Sequence, residues 1–146
     1  ALGVPTLEQA FKTIASRAKI NVEIKSPGCE QAVVAAIQKQ GNYDKVMISS
    51  FSKMILRQIH TLDPKIHLAL LQHINILDFL SVPFVTAVGF RHFLAPKAVV
   101  GLAKKRGLTT YAYTVDSPER AKQLAHKGFD GIVTNRPDIL KGSADK

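Results

Sequence analysis

Residues 20–26 read INVEIKS: Val22 and Ile24 recur at every second position, with Asn21, Glu23 and Lys25 between them. A period of two marks a β-strand, because successive side chains point to opposite faces. One face of this strand is therefore apolar and the other carries an amide, a carboxylate and an ammonium. In a parallel sheet covered by helices both faces are expected to be apolar. A polar face there is costly unless it opens onto a functional hollow. An edge strand, or simple pairing of Glu23 and Lys25 with neighbours, explains the same spacing, and on spacing alone both readings stay open.

Working outward from this strand, short apolar runs alternate with helical patterns. Strands are expected at Ile20–Lys25, Lys45–Phe51, Ile66–Leu71, Phe84–Phe90, Leu108–Val115 and Phe129–Thr134, with 25, 21, 18, 24 and 21 residues between successive starts. That pitch suits βα units in a parallel sheet. Thr6 with Gln9 three positions on forms a capping-box pattern for a first helix. Ser117-Pro118-Glu119 offers an N-cap, a proline at the first helical position and an acidic first turn. Gly41, Gly107 and Gly128 follow helical stretches with basic residues nearby, as helix C-termini do. Helical faces are expected to carry Val99, Leu102 and Ala103 in one helix and Ala121, Leu124 and Ala125 in another. No linker or low-complexity stretch interrupts the pattern, so residues 1–146 are expected to form one domain, with 141–146 a flexible tail.

The chain has 146 residues, 46% of them apolar, enough for a real core. Its net charge of +9 favours anions without choosing among them. No basic stripe with interleaved aromatics accompanies that charge, which argues against nucleic acid as the partner. Residues 74–90, the most apolar region, are broken by Asn75, Asp78 and Pro83, so no membrane span is expected. Cys29 stands alone, which permits a reducing compartment, and no basic start with an apolar run and cleavage site opens the chain. A cytoplasmic location is the expectation. The first residue is Ala1 rather than Met, which suggests a processed or trimmed start.

The expected strands share one trait: they begin apolar and end polar. "VMISSF" closes on Ser49 and Ser50, "TYAYTVD" on Tyr113, Thr114 and Asp116, and "GIVTNRP" on Thr134, Asn135 and Arg136. The carboxyl ends of strands are where α/β folds bind ligands. Caps and turns explain any one of these residues, but these three strand ends together with INVEIKS, four in register, carry more weight.

The segments VPTLEQAF, INVEIKS, VMISSFSKMILRQIHTLDPKIHLALL and YAYTVDSPERAKQLAHKGFDGIVTNRPDIL together resemble successive parts of the glycerophosphodiester phosphodiesterases, from about Val4 to Leu140. The resemblance implies a TIM (β/α)₈ barrel, metal-dependent hydrolysis of glycerophosphodiesters to glycerol phosphate and an alcohol, and a divalent cation such as Mg²⁺ or Ca²⁺. A whole barrel typically needs about 250 residues. The resemblance therefore implies a partial barrel of about six βα units, strands three to eight, lacking the first two.

Residue by residue, it implies a metal ligand at Glu23. It implies phosphate or substrate contacts at Lys25, Ser50 and Phe51, and an aromatic wall over the glycerol at Tyr113, where the family commonly has Trp. Asn135 stands where Asp is usual. The family's His-Arg-Gly, Glu-x-Asp and His-Asp motifs are absent, and with them the two catalytic histidines and two metal carboxylates. No catalytic residue is therefore assigned, and the chain alone is expected to be inactive. His60 and His126 read as solvated helix residues. His92, beyond a strand end, is the histidine to inspect, with a structural role favoured. The alternative reading is a non-catalytic remnant acting as a binding or self-assembling module. Because an open remnant exposes strand edges, the chain is expected to pair with itself or with a complementary barrel segment.

Overall fold

The computed structural model describes residues 3–14 and 17–140; the tail expected at 141–146 lies outside them. The chain divides into two compact units, Ala1–Leu70 and Leu71–Lys146.

In the first unit α1 (Leu7–Ile14) leads into β1 (Ile20–Glu23), α2 (Glu30–Gln40), β2 (Val46–Ser50), α3 (Lys53–Leu62) and the start of β3 (His67–Gln72). The capping box forms as the sequence implies: Gln9 N–H donates to Thr6 Oγ1 at 3.2 Å and Thr6 N–H to Gln9 Oε1 at 2.8 Å. β1, β2 and β3 pair in parallel, with Ile20 opposite Val46, Glu23 opposite Ser49, and Ser49 opposite Ala69. Phe11, Ile37, Ile48, Leu56, Ile59 and Leu68 are fully buried and form the core. Helix α2 ends at Gly41, whose φ of 73° is the left-handed conformation that glycine adopts without penalty.

Behind α3, Asp63 is a buried carboxylate that gathers three donors. It accepts from Gln38 Nε2 at 3.0 Å, from the Tyr43 hydroxyl at 2.8 Å and from Lys65 N–H at 3.1 Å. The Gln38 amide holds its carboxyl below the usual carboxylate range against the opposing pull of burial, and Tyr43 and Lys65 add to that effect.

The second unit holds β4 (Ala87–Arg91), α4 (Lys97–Lys105), β5 (Thr109–Tyr113), α5 (Pro118–Lys127) and the short β6 (Gly131–Ile132). These strands are also parallel and follow chain order, with Arg91 opposite Tyr113 and Tyr111 opposite Gly131. Phe90 packs edge-on against Phe79 and Phe129, with ring centroids 6.1 and 6.2 Å apart. Ser117 caps α5 by accepting from Arg120 N–H at 3.3 Å, with Pro118 opening the helix.

The expected α4 face is corrected. Val100 and Ala103 are the buried residues, Val99 is half-buried and Leu102 is 38% exposed. In α5, Ala121 and Leu124 are buried while Ala125 is exposed. Strand boundaries shift too. The run expected from Phe84 yields ladder pairing only from Ala87, and the last strand shrinks to two residues, Gly131–Ile132.

Candidate functional site

The candidate residues of the first unit gather at the carboxyl ends of β1 and β2. Ile24 is 3% exposed, and the flanking Glu23 and Lys25 are exposed, so the polar face read from INVEIKS is the open face of the strand. Glu23 sits opposite Ser49 of β2 and shares its sheet face, since paired residues of parallel strands point the same way. Ser49 is fully buried, and its hydroxyl has no hydrogen-bond partner among the described residues.

Ser50 points to the opposite face. Its hydroxyl donates to the Ile24 carbonyl at 2.7 Å and accepts from Ser52 N–H at 3.1 Å. Ser52 in turn caps α3 by accepting from Ile55 N–H. Ser50 therefore ties the end of β1 to the start of α3, and at 1% exposure it acts from beneath the strand end. Phe51, 44% exposed, follows it at the surface.

Beyond Lys25, Gly28 turns the chain at a φ of 104° into α2. Glu30, 2% exposed, accepts from Gly28 N–H at 2.7 Å through one oxygen, and its other oxygen has no partner among the described residues. Sequence reasoning missed Glu30, and it set Ser49 among the polar strand ends without marking it as buried. A glutamate in a helix's first turn and a serine in a strand carry no outward mark of burial.

Tyr113 lies in the second unit, at the end of β5, and its hydroxyl donates to the Gln72 carbonyl at 2.5 Å. Past it, Asp116 closes a clasp. One carboxylate oxygen accepts from Thr134 Oγ1 at 2.9 Å and Asn135 N–H at 2.8 Å, and the other from Asn135 Nδ2 at 3.0 Å. The Asn135 side chain foremost, then its backbone N–H, holds the Asp116 carboxyl below the usual range. Here Asn135 serves as a donor to a neighbouring carboxylate, a role that an aspartate could not fill.

His92 is tied to α5 through Arg120. Arg120 Nε donates to its Nδ1 at 3.0 Å, so that nitrogen carries no proton, and Arg120 also donates to the His92 carbonyl. Burial, and then the neighbouring Arg120 charge, push the imidazole pKa down. His60 and His126 lie on α3 and α5, as expected.

A divalent cation fits this chain poorly. Among the described residues no three His, Cys, Asp or Glu side chains are placed to hold an ion. Hard cations take about six to eight oxygen ligands, and Glu23 offers one carboxylate. No helix among the described residues is long and apolar enough to cross a membrane.

The Glycerophosphoryl diester phosphodiesterase family matches residues 1–139. The chain belongs to this family. A glycerophosphodiester phosphodiesterase of Caldanaerobacter subterraneus is 30% identical, over 94% of this chain and 60% of that protein. Among solved structures, a candidate glycerophosphodiester phosphodiesterase from Galdieria sulphuraria superposes with a TM-score of 0.83 at 23% identity, over 97% of this chain and 64% of its own. A phosphodiesterase from Oleispira antarctica, solved with its product sn-glycerol-3-phosphate, gives 0.79 at 20% identity, over 97% of this chain and 62% of its own. The fold class is thus α/β, a partial TIM barrel of six parallel strands with their helices. The chain spans about three fifths of the length of these relatives.

Proposed function

We propose that this chain supplies the carboxyl-terminal part of a metal-dependent glycerophosphodiester phosphodiesterase, which releases glycerol phosphate and an alcohol. The observation that carries the reading is Glu23 with Lys25, both on the open face at the carboxyl end of β1, in a chain matched to the family over residues 1–139. The product bound by the Oleispira relative supports the substrate class.

In this reading Glu23 contributes one carboxylate toward a cation whose remaining ligands come from outside the chain. Lys25 sets a positive charge against the phosphoryl oxygens. Phe51 offers aromatic surface to the glycerol portion. Ser50 serves the substrate indirectly, by fixing the Ile24 carbonyl between Glu23 and Lys25. No acid–base pair is assigned, and hydrolysis needs both a proton acceptor and a proton donor. The chain alone is accordingly inactive.

The test is release of glycerol phosphate from a glycerophosphodiester with Mg²⁺ or Ca²⁺, by this chain alone and by the chain joined to the amino-terminal segment of a relative. The expected result is cation-dependent activity in the joined protein only, lost on Glu23→Ala. An unchanged rate in that variant removes Glu23 from the site. Chelator-sensitive hydrolysis by the chain alone overturns the claim of inactivity.

A second reading, a non-catalytic module that associates with itself or with a complementary barrel segment, is favoured by large exposed apolar side chains. Val4, Met54, Ile74 and Phe93 are 78%, 71%, 81% and 60% exposed. Sedimentation is expected to show a dimer or larger species, and a compact monomer at all concentrations refutes it.

A further inference from the structure

We infer that the loops following β3 and β4 form an apolar patch that docks on an anionic lipid surface. Both loops lie in the second unit, and Ile74, Leu77 and Phe93 stand exposed on them. Single exposed apolar residues are ordinary on a protein surface. These three are set apart by how firmly their loops are held. With its amide turned to suit both neighbours, buried Gln72 donates to the Asn75 carbonyl and accepts from Phe79 N–H at 2.9 Å. Asp78 N–H donates to the same Asn75 carbonyl at 3.1 Å. Ile74 and Leu77 therefore project from a loop fastened to the end of β3. Phe93 projects from a turn fastened on both sides. Leu94 N–H donates to the Arg91 carbonyl at 2.9 Å, and His92 N–H to the Tyr113 carbonyl at 2.9 Å. Arg120 holds His92 through its ring and its carbonyl, and the His92 and Phe93 rings meet edge-on with centroids 5.3 Å apart. Arg91 Nη2 lies 3.0 Å from His73 Nε2, so the two loops leave the sheet side by side.

Loops ordered by this many bonds that still leave three large apolar side chains in water present those side chains to a partner. The charge indicates which partner. Residues 71–140 carry nine Lys and Arg against five Asp and Glu, and the whole chain is +9. Beside Phe93, the half-buried Arg120 guanidinium donates, among the described residues, only to uncharged acceptors: the His92 ring and carbonyl and the Gln123 amide. A second copy of the chain would bring the same positive charge to the patch, whereas an anionic bilayer brings the opposite one. Apolar side chains seated at the headgroup boundary, with basic residues next to them, hold a peripheral protein at such a surface. The patch uses none of Glu23, Lys25 or Ser50, so it stands apart from the phosphodiesterase reading.

The chain contains no tryptophan, so one introduced into the patch reports on it alone. The test mixes the chain carrying Phe93→Trp with vesicles of phosphatidylcholine and phosphatidylglycerol at about 3:1, and with vesicles of phosphatidylcholine alone. With the anionic vesicles the indole emission should shift to the blue and be quenched by brominated acyl chains. Both effects should fade in about 1 M salt, where the screening length is about 3 Å. Leu102→Trp, on α4, puts the same reporter at an exposed apolar position outside the patch and should show neither effect. In vesicle sedimentation Phe93→Ser should weaken binding about tenfold, as expected when a ring is withdrawn from the apolar layer. Ile74→Ser should weaken it about fivefold, and it reads the patch if Phe93→Ser fails to fold. No binding, equal binding to both kinds of vesicle, or equal quenching in Phe93→Trp and Leu102→Trp overturns the proposal. So does a blue shift in Phe93→Trp that grows with protein concentration and ignores vesicles, which gives the patch to a second copy. Diester hydrolysis is a separate readout, so loss of vesicle binding leaves the role of Glu23 standing, and the reverse holds as well.

Discussion

Asp63 offers the sharpest test of how the first unit is held together. Its carboxylate is 6% exposed and joins α2 through Gln38, the 3₁₀ turn at Tyr43–Lys45 through Tyr43, and the approach to β3 through Lys65 N–H. Hydrogen bonds to a charged group contribute about 1.5–3 kcal/mol each. Gln38 is exposed and can turn to water, so the cost of Asp63→Ala falls mainly on the Tyr43 and Lys65 bonds, about 3–6 kcal/mol in total. At roughly 3 °C per kcal/mol for a chain of this size, the melting temperature should drop by roughly 9–18 °C.

Asparagine should behave differently. Its carbonyl can face Lys65 N–H while its amide faces the other two partners. Both of those can adapt, Gln38 by presenting its oxygen and Tyr43 by accepting instead of donating. Asp63→Asn should therefore recover most of what alanine loses. The pH dependence has a fixed sign. The Asp63 carboxyl titrates below its unfolded value of about 3.9, so its contribution is complete above about pH 4 and is lost as pH falls through the folded value. Melting followed by circular dichroism at neutral pH and near pH 3 reads both effects. If alanine and asparagine melt together at neutral pH, or if the gap between wild type and Asp63→Asn persists in acid, the reasoning about charged donors is wrong.

Three further perturbations probe other elements. A Cβ added at Gly131 would lie 2.8 and 2.9 Å from two atoms of the Tyr111 ring, a stiff neighbour, so Gly131→Ala should cost about 1–3 kcal/mol in urea unfolding; a neutral result would mean that the ring moves aside freely. Asp116→Ala opens the clasp on Thr134 and Asn135, so the Asn135 amide should exchange faster with solvent at neutral pH. Because the Asp116 carboxyl titrates below its ordinary value, that protection should be complete above about pH 4 and fade in acid. Thr6→Ala removes half of the capping box and should destabilise α1 by about 1 kcal/mol, measured as loss of helical signal.

Which of these features the sequence discloses follows from the range of the interactions involved. Alternation within INVEIKS foretold an open polar face because a strand's two faces are set by position alone. The capping box and the Ser117 cap were legible for the same reason, since their partners lie three residues apart. The α4 face was misplaced by one position because Val99 and Val100 are chemically alike, and only packing decides which of them turns inward. The groups most open to chemical test were hidden. Asp63 meets Gln38 across 25 residues, and Arg91 meets His73 across 18. A local pattern reports that a residue is polar, but its partner fixes whether its charge is cancelled. Asp63 is surrounded by three donors, two of them side chains far off in sequence, so its charge serves the fold.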